Sequence, residues 1–140
     1  MSRIFKVILS AIFLLTLSFG LTSCIDSGEW KTVIVFEGTF EGSDRMADSK
    51  VFELTGGRTR VTYDLVTTSV GGNALIYVLP EGWTMTQDAN GNLKVSVQDI
   101  TAIGNKTNEQ KTIRKDPGRY HIFINSSSVE SYKIVIEEWR

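Results

Sequence analysis

The sequence predicts an all-β protein: a single antiparallel β-sandwich, jelly-roll-like, of about eight or nine short strands behind a cleaved amino-terminal segment. Three observations predict it. Beyond residue 30, apolar side chains recur at every second position in short runs, the period of a half-buried strand. Clusters of Gly, Pro, Asn and Asp punctuate these runs at roughly 8–12-residue spacing. No helical stripe extends beyond about two turns, and there is no internal repeat or low-complexity tract. A single sheet of this size would leave one apolar face in water; two packed sheets hide it.

The elements follow in order. Residues 31–40 (KTVIVFEGTF) are β-branched and aromatic, and apolar on both faces around 33–36, which predicts a buried strand. Residues 50–54 form a short candidate closed by Gly56-Gly57. Residues 58–65 alternate, with Val61, Tyr63 and Leu65 on one face and Arg58, Arg60, Thr62 and Asp64 on the other. Residues 74–79 follow a Gly71-Gly72 loop and stop at Pro80-Glu81-Gly82. Residues 83–87 and 93–97 flank 88–92, whose central Asn90-Gly91 is a hairpin signal. Residues 104–109 read as a polar loop and 110–113 as a short strand. Asp116-Pro117-Gly118 reads as a tight turn, because Pro presets φ and Gly tolerates a positive one. Residues 119–125 and 131–139 then alternate across 126–130, which predicts a final hairpin.

The first 23 residues stand apart. Residues 1–6 carry Arg3 and Lys6 and no acid, and 7–21 are apolar, broken only by Ser, Thr and Gly. A charged start, a short apolar run and then small residues make a secretion signal. As a helix the apolar run would reach roughly 22 Å, short of the ~30 Å hydrocarbon core that a membrane span must cross. Leu21-Thr22-Ser23-Cys24 follows directly and resembles the lipobox of bacterial lipoproteins. That resemblance implies diacylglycerol on Cys24, a palmitate-bearing lipid anchor, and signal-peptidase cleavage between Ser23 and Cys24. Cys24 is the only cysteine of the chain, and lipidation accounts for a lone secreted thiol. Ile25 rather than Asp follows it, which by resemblance to the enterobacterial sorting rule implies the outer membrane. The organisation is therefore 1–23 signal peptide, 24–29 lipidated tether and 30–140 sandwich.

About 117 residues remain after cleavage, enough for one domain. They carry 13 basic and 16 acidic side chains, interspersed, for a net charge of −3. There is no basic block for nucleic acid and no polybasic run for anionic lipid, so membrane attachment rests on the lipid. Three segments, ALIYVLPEG at 74–82, PGRYHIFI at 117–124 and YKIVI at 132–136, resemble in order and spacing the bacterial pre-peptidase C-terminal domain, a small jelly-roll-like sandwich. The likeness covers about residues 52–138. It departs at Asn73-Ala74, where that family usually has Asp-Leu. The resemblance implies a fold rather than a function.

The residues offer little chemistry. Nucleophilic cysteine is excluded once Cys24 carries lipid. His121 is the only histidine, and no Gly-x-Ser-x-Gly provides it with a serine. Zinc has no cysteine or histidine pair available. Residues 88–92 place oxygen ligands alternately, but their Gly comes too early for a calcium loop and the hairpin tip explains them. Neither metal nor cofactor is expected. Glu137 and Glu138 point to opposite faces of a strand, and most acids, Glu37, Glu41, Asp44 and Asp48 among them, read as solvated surface. Trp30 and Trp139, at opposite ends of the sandwich sequence, are placed to pack together; Trp83 follows a turn and is the aromatic placed for exposure. Phe123 turns with His121 away from Tyr120, Ile122 and Ile124. It is expected in the core of a sandwich whose strands are buried on both faces, with a partner-covered surface as the alternative.

These readings lead to one expectation: a non-enzymatic, membrane-tethered binding module for a protein partner in the cell envelope. Its candidate surface comprises Trp83, His121, Phe123, Arg58 and Arg60. The alternatives are a carbohydrate-binding module using exposed aromatics, and an enzyme inhibitor or accessory subunit. No nucleic acid is expected.

Overall fold

The computed structural model describes residues 27–83, 86–87, 89–90, 93–94 and 98–140. Cys24, Ser23 and most of the Asp88–Asn92 loop lie outside these residues. Among them, the elements are β1 (Trp30–Thr39), β2 (Met46–Asp48), β3 (Phe52–Leu54), β4 (Thr59–Thr67), β5 (Asn73–Pro80), β6 (Thr86–Gln87), β7 (Leu93–Lys94), β8 (Ile100–Ile103), β9 (Lys106–Ile113), β10 (Gly118–Ser127) and β11 (Val129–Trp139). One sheet has the order β1-β11-β4-β9; the other is β2-β10-β5-β8, with β3 also on β10. All the pairings are antiparallel.

β2 and β3 pair in turn with the two halves of β10. Between them Ser49 N donates to Ile122 O and Ile122 N donates to Ser49 Oγ, so the two act as one interrupted strand. Counted that way, and leaving β6 and β7 aside, the sheets read 1-8-3-6 and 2-7-4-5 in chain order. That is the jelly-roll order, the architecture expected from the sequence.

The period-2 runs place the core. Val61 and Leu65 of β4 and Ile134 and Ile136 of β11 face Ala74, Ile76 and Val78 of β5 and Ile122 and Ile124 of β10 across the two sheets. These are side chains with one buried face each, and closing the sandwich removes them from water.

Four expectations are corrected. β1 is not buried on both faces: it lies at a sheet edge with β11 on one side only, its register shifts around Val33, and Val35 is 47% exposed. The polar loop expected at 104–109 is strand from Lys106 onward. β9 is an edge strand held to β4 by backbone bonds, which need no apolar side chains, so its pattern carried no signal. The final hairpin is a crossing between sheets. β10 and β11 pair with different neighbours, and the chain turns at Ser128 with φ of 56°. Gly118 does not take a positive φ in the turn; it opens β10, and Gly56 opposite Pro117 takes the positive value, 91°. The strands β2 and β8 were not anticipated at all. The hairpin around Asn90-Gly91 is present as Thr86↔Lys94 and Gln87↔Leu93.

Candidate functional site

On β10, His121 and Phe123 point away from the opposite sheet, and across the ladder they pair with Leu79 and Tyr77 of β5. Part of this outward face is covered: Tyr77 is 1%, Leu79 2% and His121 8% exposed. The Tyr77 and Phe123 rings pack at 5.9 Å, with Phe123 half-buried, and burial raises the Tyr77 hydroxyl pKa above its ordinary value. His121 Nδ1 is bonded to Asp48 Oδ1 of β2, and Nε2 lies 3.2 Å from the carbonyl of Trp83. Trp83 is brought here by the Pro80-Glu81-Gly82 turn, which its own N–H closes on Pro80 O at 3.1 Å. Both imidazole nitrogens thus face oxygen atoms, which fix the orientation of the ring. The nearby Ser49 hydroxyl donates to Lys50 O and accepts from Ile122 N, so it is not aligned with the imidazole as a nucleophile.

Arg58 and Arg60 lie on the outer face of the other sheet. The five residues singled out in the sequence therefore form two groups on opposite outer faces, Trp83, His121 and Phe123 on one and the two arginines on the other. Arg60 grips Glu137 with two bonds, 2.6 and 3.1 Å, and its guanidinium holds the Glu137 carboxyl below the usual range. The same guanidinium sits 4.4 Å over Trp30, while Arg58 sits 4.8 Å over Trp139. Trp30 and Trp139 meet edge to face at 5.4 Å.

The most elaborate polar site is one that sequence reasoning missed. Glu138 is 0% exposed, not solvated. One oxygen accepts from the N–H groups of Thr55, Gly56 and Gly57 at 2.8, 3.0 and 3.1 Å; the other accepts from Thr55 Oγ1 and from Arg140. Burial alone would raise its pKa, but the donors together outweigh it and hold the carboxyl below its ordinary value. The turn approaches closely because Gly57 lacks a side chain: a Cβ there would lie 2.7 Å from Trp139 O. The Gly56-Gly57 pair was the available signal, since consecutive glycine N–H groups make an anion-binding concavity. Beside this clamp, between the sheets, a cleft of about 610 Å³ is lined by Gly57, Arg58, Arg114, Lys115, Asp116 and Tyr120. Lys115 pairs with Asp99 at 2.8 Å, and Tyr120 donates to Asp116 O at 2.7 Å.

The opposite end of the sandwich is built from the loops after β1, β4, β8 and β10. There Asn105 Oδ1 accepts from Thr67 N and Oγ1 at 2.7 and 3.0 Å, fastening two loops together. Val70 at their tip is 98% exposed, Ile103 63%, and Val66 and Met46 are also exposed. A shallow groove of about 420 Å³ runs past Thr68, Val70, Gly104 and Asn105.

No family model matches the chain, and neither does any curated protein. Among solved structures it is similar to the pre-peptidase C-terminal domain of collagenase from Bacillus anthracis, with a TM-score of 0.46 and 11% identity over 74% of this chain and 88% of that one.

Proposed function

We propose that this protein is a lipoprotein of the bacterial cell envelope, anchored through Cys24, whose sandwich acts as a non-enzymatic interaction module for an envelope protein. One observation carries the reading. Four of the six exposed large apolar side chains among the described residues lie toward one end (Val70 on a loop, Val66, Ile103 and Met46 on strands β4, β8 and β2), while the chain enters the fold at Trp30, at the other end. A tether at one end and apolar loop tips at the far end suit a module that stands on a membrane and meets a partner above it. The carbohydrate alternative has less support, because Trp30 and Trp139 meet at 70° and each has a guanidinium over its ring, which takes up faces that sugar stacking needs.

The test is a photo-crosslinking amino acid placed at position 70 in living cells, with position 109 on the polar edge strand as control. The expected result is a discrete adduct from position 70 that is absent from position 109 and lost when Ile103 is changed to Asp. Identical adducts from both positions, or none from position 70, would count against the reading. Val70→Asp itself should leave the melting temperature within about 2 °C, since so exposed a side chain contributes little to folding.

A further inference from the structure

The tether end of the sandwich has a chemistry of its own. Trp30 pairs with Trp139, Thr59 with both Glu138 and Ile113, and Gly118 with Leu54, so residues 27–31, 55–58, 112–119 and 138–140 share that end. Glu29 and Arg140 exchange backbone bonds of 2.7 and 3.0 Å, which fixes the chain's entry point there. The sequence has no polybasic run, yet the fold collects Arg58, Arg114 and Lys115 from separate segments around one cleft. Lys115 is compensated by Asp99, Arg119 by Glu81 and Arg140 by Glu138. Arg114 is exposed and pairs with no acid among the described residues. Beside the cleft, the Trp30 and Trp139 rings carry Arg60 and Arg58 above them. Indole and guanidinium together are the groups favoured where apolar lipid meets charged headgroups.

We infer that this end docks on the membrane itself, with the Arg58–Arg114 cleft taking the phosphate of an anionic lipid headgroup and the tryptophans seated at the headgroup level. The inference rests on the reading of Cys24 as the lipid anchor. From Cys24 to Trp30 the chain spans at most roughly 20 Å at about 3.4 Å per residue, whereas the eleven residues of β11 are roughly 36 Å long. The tether therefore keeps the Trp30 end against the bilayer and the Val70 loops away from it. Docking turns a loose leash into a fixed upright orientation.

The test uses the mature, lipidated protein reconstituted into two kinds of vesicle, phosphatidylcholine alone and phosphatidylcholine with about one third phosphatidylglycerol, both containing lipids brominated high on the acyl chain. Quenching of tryptophan fluorescence reports proximity of the rings to the bilayer. The expected result is at least about twofold more quenching in the anionic vesicles, since a cation near an anionic surface gains several-fold in occupancy. Arg114→Glu should reduce it to the level in neutral vesicles, Arg114→Lys should keep it, and 0.5 M salt should erase the difference. Equal quenching in both vesicles, or an Arg114→Glu protein that melts normally and quenches like the parent, overturns the inference. Displacement by inorganic phosphate without any dependence on lipid charge also overturns it, because the anion then comes from solution. An intact mass lacking the diacylglyceryl group defeats the anchor reading alone. Docking is then scored by flotation of the same protein: flotation with anionic vesicles only supports it, and flotation with neither overturns it.

Discussion

Removing the Glu138 carboxylate tests how this fold closes the end at which Trp30 and Trp139 pair. The group makes five donor contacts inside the protein, three of them from consecutive backbone N–H groups. Hydrogen bonds to a charged acceptor contribute about 1.5–3 kcal/mol each, and a naive sum would exceed the stability of most small domains. Two facts reduce it. Thr55 and Gly56 are exposed, so water can satisfy their N–H groups when the carboxylate is gone, and Arg140 is partly exposed. Glu138→Ala is therefore expected to cost about 3–5 kcal/mol, the donors' loss plus a cavity. Glu138→Gln keeps a carbonyl oxygen for the three N–H groups and loses chiefly the Arg140 pair, so about 1–2 kcal/mol is expected. The pH dependence has a definite sign. The carboxyl pKa is depressed in the folded state, so its stabilisation is present above the ordinary carboxylate range and fades as pH falls through the depressed value. The parent's lead over Glu138→Gln should accordingly be largest near pH 7 and narrow toward pH 3. Urea unfolding at both pH values measures it. A Glu138→Ala protein within about 0.5 kcal/mol of the parent, or a Gln variant as damaged as the Ala variant, would refute the reasoning from backbone donors.

Three other outcomes are expected. Cys24→Ala should abolish incorporation of labelled palmitate and leave an uncleaved or unanchored protein; labelling that survives the change would remove the basis for tethering. Phe123→Ala should cost about 1–2 kcal/mol by urea unfolding rather than the ~3–5 of a core phenylalanine, because the ring is half-buried against Tyr77 outside the inter-sheet core. Gly72→Ala should destabilise by about 3 kcal/mol in the same assay, since its Cβ would meet Ser128 O and Thr67 Cβ, both at 2.6 Å, and neither belongs to a side-chain end that can swing away.

The alternating strand β4 was legible in the sequence, and the polar edge strand β9 was not. In β4 the alternation of Val61, Tyr63 and Leu65 with Arg60, Thr62 and Asp64 told both the element and its orientation. β9 was read as loop over 106–109 because six consecutive exposed positions have no period, and backbone pairing to β4 leaves no trace in side-chain composition. A hairpin and a crossing between sheets have the same local signature, two alternating strands around a turn. The 126–130 region therefore could not reveal that β10 and β11 belong to different sheets. For the candidate site, the sequence showed that His121 and Phe123 share an outward face, but not that Asp48, 73 positions away, would meet the imidazole. Nor could it single out Glu138 from Glu137. The two are adjacent and alike, and only the approach of the Gly56-Gly57 turn on one side of β11 separates a buried carboxylate from a surface one.

The covered outer face of the second sheet was also encoded, in a form that the alternation argument passes over. Leu75, Ile76, Tyr77, Val78 and Leu79 give β5 apolar side chains on both faces, the pattern of a strand with something packed on each side. The outward Tyr77 and Leu79 are as buried as the inward Ile76 and Val78, and His121 and Trp83 lie on the same face. The cover over Tyr77, Leu79 and His121 limits where a partner can bind. Among the described residues, the outer face of the first sheet and the far loops are two surfaces open to a partner. The outer face of the first sheet is laced by Arg60–Glu137 and by the Lys133 and Asp64 positions, a charged ladder with isolated valines. The far loops combine an exposed apolar tip at Val70 with a backbone pinned from below by Asn105 and by Gly72 against Ser128. Substitutions at Val70 and Ile103 should thus change binding without touching stability, and substitutions at Glu138 or Gly72 the reverse, a separation expected only when recognition and fold maintenance occupy different parts of the molecule.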